Sequence, residues 1–140
     1  MIDKALILRK VSELDECFGQ LKEYADISLE DYEQNWKTQR IVERTLQIMV
    51  EICIDIAHHT IADRDCRVPT THSDTFKVLY EEGVIDQDLF HVMEKMAKFR
   101  NIVVHAYDTI DSAIVVEILK FHLGDFVAFK NTIVSLTRSA

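Results

Sequence analysis

One proline and three glycines in 140 residues constrain this chain more than any other feature. Architectures built from many short strands need a breaker at every turn, so the shortage leaves long helices joined by a few loops. The apolar spacing agrees. Ile7, Val11, Leu14, Phe18, Leu21 and Ala25 follow a 4-3-4-3-4 rhythm, one face of an amphipathic helix. Gly19 lies within it at a cost of about 1 kcal/mol relative to alanine. "SLED" (28–31) offers Ser28 as the N-cap of a short second helix. A third helix, roughly 35 to 61, contains "IMVEICIDIA" and is the most buried by pattern. "DRDCRVPTTH" (63–72) holds the only proline and is the main loop. After it comes a short helix, with Ser73 as its expected N-cap and Gly83 as its stop. The next long helix starts near Asp86 and turns Leu89, Val92, Met93, Met96 and Phe99 inward. The last starts near Asp111 and repeats Val116, Leu119, Leu123, Phe126, Ile133 and Leu136. No repeat or linker interrupts the series. The expectation is an all-α chain forming a single domain over 1–140, an antiparallel bundle of four long helices plus short ones.

Several classes of function are disfavoured at once. No run approaches the roughly 18 apolar residues that a membrane span needs, so no membrane role is expected. The charged, periodic start does not read as a signal core. Cys17, Cys53 and Cys66 are odd in number and form no CxxC pair, which fits reduced thiols in a cytoplasmic protein. With 24 acidic against 16 basic residues, net −8, wholesale electrostatic binding of nucleic acid is disfavoured, although a local basic site is not.

The stretch "KFRNIVVHAYD" (98–108) concentrates polar chemistry at the end of an apolar helix. Asn101 and His105 are an i,i+4 pair, while Arg100 and His105 point about 140° apart. Those two converge only if the arginine reaches round or if a second copy of the helix supplies the missing face. These residue types suit cleavage of an RNA phosphodiester. A histidine near neutrality can move a proton to or from a reacting oxygen. An arginine stays charged and holds phosphate through its fork of donors. Asparagine can orient phosphate or ribose, and an attacking 2′-hydroxyl needs no metal. The plainer reading is a helix C-terminus where basic residues are favoured by the dipole. On spacing alone the plainer reading is preferred.

"RNIVVHAY" has the R-x4-H-x-Y form, and with its flanks it resembles HepT-like toxins of the HEPN superfamily. The likeness runs from about 40 to 130 through "EICIDIAHHTIAD", "VPTTHSDTFKVLYEEGVID", "MAKFRNIVVHAYDTID" and "VVEILKFHLGDFVAF". The resemblance implies a symmetric homodimer whose R-x4-H helices face each other across a cleft. It implies a type VII-like toxin–antitoxin pair, with a metal-independent ribonuclease silenced by an MNT-type nucleotidyltransferase antitoxin. By the same resemblance Arg100 holds the phosphate of an RNA substrate, His105 is base or acid, and Asn101 assists. Tyr107 is the tyrosine that the partner AMPylates, bringing negative charge to where RNA phosphate must sit.

Two further readings stay open. One is a non-catalytic helical adaptor that binds a nucleotidyltransferase, a nucleotide, or both through the same cleft. The other starts from a polar line on the third helix: Arg44, Gln47, Glu51, Asp55 and His58 or His59. Together with Asp63 these residue types can bind metal. Helical di-metal sites use Glu-x-x-His twice, which this chain lacks, so no cofactor is expected. Glu51 and Asp55 are taken instead as supporting residues of the cleft. His72, His91 and His122 have no partner identifiable from the sequence.

Overall fold

The computed structural model describes residues 3–139, and the regular structure of those residues is entirely helical. The elements are α1 (Lys4–Lys22), α2 (Leu29–Gln34), α3 (Trp36–Asp63), α4 (His72–Glu81) and α5 (Gln87–His105). A 3₁₀ turn (Tyr107–Thr109) follows, then α6 (Ser112–Glu117), a π turn (Ile118–His122) and α7 (Leu123–Ser139). Backbone angles stay helical through both junctions of the π turn. Residues 112–139 therefore act as one long helix that completes an antiparallel bundle with α1, α3 and α5. The π turn has no counterpart in the apolar spacing of the sequence.

The starts of α1 to α6 are each closed by a short polar side chain accepting from an otherwise orphaned backbone N–H. Asp3, Ser28, Asn35, Asp86 and Asp111 do this for α1, α2, α3, α5 and α6. For α4 the cap is Thr71, not the expected Ser73. Thr71 Oγ1 accepts from Asp74 N–H at 3.0 Å, and Asp74 Oδ2 turns back to accept from Thr70 N–H at 3.0 Å. That reciprocal closure is available only with the cap two residues earlier.

Packing centres on α3, which touches α1, α2, α4 and α5. Val42, Leu46, Met49, Val50, Cys53, Ile56 and Ala57 are all fully buried on it. Burial also pushes the Cys53 thiol far above the usual range. Phe76 of α4 meets Phe129 of α7 edge-on at 5.8 Å, tying the short helix to the last one. The expected inward faces hold. Ile7, Val11, Leu14, Leu21, Met93, Met96, Phe99, Leu119, Leu123, Phe126 and Ile133 are buried, while Phe18, Leu89, Val92, Val116 and Leu136 are partly so. Ala25 lies beyond the end of α1 yet still packs on the core.

Two glycines give opposite expectations. Gly83 ends α4 at φ 73°, a conformation that costs other residues about 1 kcal/mol or more. At Gly19, inside α1, an added Cβ meets no atom within 4 Å. Urea unfolding should therefore show Gly83→Ala destabilised by about 1–2 kcal/mol and Gly19→Ala stabilised by about 1 kcal/mol.

Candidate active-site cleft

The last two turns of α5 split the motif between two directions. Arg100 bends toward α3 and its side chain is only 17% exposed. Its Nη2 donates to Glu51 Oε2 at 3.4 Å and its Nη1 to Asn101 Oδ1 at 3.2 Å. Glu51 is held in turn by Gln47, whose Nε2 donates to Oε1 at 3.1 Å. The Glu51 contact is long compared with a well-formed N–H···O bond of about 2.9 Å. The buried Nε–H of Arg100 finds no acceptor among the described residues, so that donor is open to a group entering beside it.

His105 goes the other way. It is the last residue of α5 and is exposed, on an outer stripe with Lys95, Lys98 and Ile102. Its ring has no hydrogen bond or ion pair among the described residues. The two motif residues do not converge within one chain. Past the C-cap Ala106, the 3₁₀ turn starts with Tyr107, whose side chain is 69% exposed. Thr109 closes the turn on Ala106 O, with Oγ1 donating at 2.7 Å.

Arg100 opens on a cleft of about 350 Å³ whose other walls are Glu51, Ile54, Asp55, His58 and His72. The polar line expected on α3 is therefore the floor of this cleft, with exceptions. Arg44 and His59 are exposed and lie outside it, and Gln47 reaches it only through its bond to Glu51. Asp55 sits at the rim, 3.4 Å from Lys10 of α1. His58 Nε2 lies 3.1 Å from Thr75 Oγ1 of α4. Burial and the neighbouring His72 lower its pKa, and Asp55 partly offsets them. Among the described residues no group of three or more His, Cys, Asp and Glu is placed to hold a metal ion.

Of the three histidines without a sequence partner, the structure gives two a setting of consequence. His122 Nδ1 is 2.8 Å from Asp125 Oδ2, and neither residue lines this cleft. His72 joins the cleft because the preceding loop is clamped. Arg67 Nη1 and Nη2 each donate to Asp74 at 2.8 Å, and Nε donates to Glu81 at 2.8 Å. The clamp fixes the start of α4, and His72 is its first residue. The available sequence signal was Asp74 and Glu81, seven apart on one face of a helix just after a loop arginine.

Comparison with known proteins decides the family. The family model described as ribonuclease HepT-like matches residues 14–133. This chain belongs to that family. It is 33% identical to the mRNA nuclease HepT of Shewanella oneidensis over 129 residues, covering 91% of this chain and 96% of the relative. It is 27% identical to the tRNA nuclease HepT of Aphanizomenon flos-aquae over 125 residues, covering 89% and 85%. Among solved structures, tri-AMPylated Shewanella oneidensis HEPN toxin in complex with MNT antitoxin is similar with a TM-score of 0.86. That match has 30% identity and covers 96% of this chain and 99% of the other.

The clamp makes a pH-dependent prediction. Hydrogen bonds from Arg67 and from the Thr70 backbone hold the Asp74 carboxyl well below the usual carboxylate range. The folded state then binds fewer protons than the unfolded state in acid. The clamp's contribution is present in full above about pH 5 and is lost as pH falls from about 4 toward the lower folded value. Unfolding of wild type and Arg67→Ala, followed from pH 7 to pH 2, should show a gap that is constant near neutrality and closes in acid.

Proposed function

We propose that this chain is the RNA-cleaving toxin of a HEPN/MNT-type pair, acting as a symmetric homodimer in the cytoplasm. The observation that carries the reading is Arg100, turned into a cleft with a buried Nε–H that lacks an acceptor. A guanidinium with unspent donors is suited to a bidentate grip on phosphate. The long Glu51 contact and the Asn101 contact pre-aim it without saturating it. His105, exposed at the helix end, is the proton-transfer group, and it meets the cleft when a second copy brings its own α5 alongside. Lys95 and Lys98, on the same outer stripe as His105, supply local positive charge in an acidic chain.

The relatives support the substrate and partner classes. Two of them are an mRNA nuclease and a tRNA nuclease, and a similar solved structure pairs an AMPylated toxin with an MNT antitoxin. In this reading a nucleotidyltransferase antitoxin modifies Tyr107. Exposure of its ring on a turn beyond the helix suits an enzyme-catalysed transfer. No described helix is long and apolar enough to cross a membrane.

Expression without a partner tests the reading. Wild type should arrest growth and cleave cellular RNA, and His105→Ala or Arg100→Ala should cleave about 10²-fold or more slowly. A histidine variant as harmful as wild type would rule out this site. In a mixed dimer, Arg100→Ala and His105→Ala subunits together rebuild one composite site. Mixing two silent variants should therefore restore cleavage, whereas a site confined to one chain would stay dead.

A further inference from the structure

RNA cleavage by a 2′-hydroxyl needs two proton movements, one from the attacking oxygen and one to the leaving oxygen. The R-x4-H motif supplies one histidine per chain, and in this structure that histidine lies outside the cleft that holds Arg100. The cleft contains imidazoles of its own. We infer that His58 is the group that takes the 2′-hydroxyl proton in the Arg100 cleft, leaving His105 to protonate the leaving oxygen. This rests on the ribonuclease reading above and assigns a residue that the motif does not contain.

The tautomer of His58 is assigned from its partner. Thr75 has one hydroxyl proton, and its Oγ1 lies 3.1 Å from Thr71 O, which can only accept. With the proton given there, the same oxygen accepts at its other contact, and His58 Nε2 carries the hydrogen across the 3.1 Å bond. A neutral His58 is then left with its lone pair on Nδ1. Thr75 is fully buried, and its backbone sits in the first turns of α4, which the Arg67 clamp fixes. The ring is thus anchored from below while it lines the cleft beside Arg100. This is the arrangement in which a histidine base is oriented by a third group.

The groups facing His58 come from three helices. Asp55 and His59 flank it on α3, His72 approaches from α4, and Glu51 of α3 and Arg100 of α5 complete the cleft. Burial acts first and His72 next, both favouring the neutral ring. A base must be unprotonated before reaction, and these surroundings keep it so at neutral pH.

The step balances without any added reagent. The 2′-hydroxyl proton passes to His58 Nδ1 as the 2′-oxygen bonds to phosphorus. The bond from phosphorus to the 5′-oxygen breaks, and that oxygen takes a proton from the His105 imidazolium. The products are a 2′,3′-cyclic phosphate and a 5′-hydroxyl, and water returns the two imidazoles to their starting states.

The test uses full-length protein and an RNA oligonucleotide in two forms, one with the ordinary 5′-oxygen and one with sulfur in its place. A sulfur leaving group departs without a proton, so it bypasses the acid but not the base. His58→Gln keeps a donor for Thr75 and cannot take the proton. On ordinary RNA it should be slowed about 10²–10⁴-fold, and the sulfur substrate should not rescue it. His105→Ala should be rescued. The acid limb of the wild-type pH–rate profile should vanish in His58→Gln. Thr75→Val, which frees the tautomer, should lower the rate with little change in KM. Wild-type rate and profile in folded His58→Gln, alongside an inactive His105→Ala, would overturn the role of His58 and leave the ribonuclease reading standing. Sulfur rescue of His58→Gln would also overturn it. Intact RNA with wild-type protein would end both.

Discussion

Burial of α3 on nearly every side is the constraint that the other helices answer to. A helix of 28 residues spans about 42 Å, and its apolar residues must be covered along most of that length. α1, α4 and α5 do the covering, and α7 seals α4 through Phe76 and Phe129. Removing this apolar surface from water is the dominant favourable term in such a fold. The one line of α3 that the bundle leaves uncovered is where Glu51, Asp55 and His58 stand. A charge in the covered part pays a desolvation penalty, which Glu43 meets by pairing with Arg40 at 3.2 Å, and the cleft residues avoid by standing at the opening.

From that opening the electrostatics follow in order. Glu51 stands half-buried at the edge of the core, and Arg100 of α5 is the cation within reach. Gln47 and Asn101 each add one hydrogen bond on either side of the pair and leave the Arg100 Nε–H open. The arrangement stores an arginine next to a void, restrained by a contact long enough for a better acceptor to compete. Meanwhile the loop before α4 has no core of its own to hold it, and Arg67 does that work through two carboxylates. The clamp and the cleft are therefore one assembly, since the clamp sets α4 and α4 supplies Thr75 and His72.

Most of the bundle was legible in the sequence because periodicity reports burial directly. The inward faces of the long helices, the cap at Ser28, the start of α5 near Asp86 and the stop at Gly83 all read correctly from local patterns. The cap of α4 did not, because Thr71, Ser73 and Asp74 compete for the role. Only the turn-back of Asp74 to Thr70 N–H decides between them. The π turn was hidden for a related reason, since one added residue in a helical turn leaves the apolar count nearly intact. In the candidate site, Arg100, Asn101, His105 and Glu51 were singled out by motif and stripe, and the divergence of Arg100 from His105 by angular arithmetic. His72 did not, because no local pattern joins position 72 to positions 51, 58 and 100. That juxtaposition is made by the loop, and loops carry contacts without period.

The placement of Tyr107 separates two properties that proteins often trade against each other. Its ring stands 69% exposed on a turn beyond α5, and no residue of that turn is buried. A bulky group attached there would hang outside the packed structure, so a decorated chain would keep the folding equilibrium of the bare one. A chain silenced by such an adduct would be an intact reserve, not a misfolded one awaiting clearance.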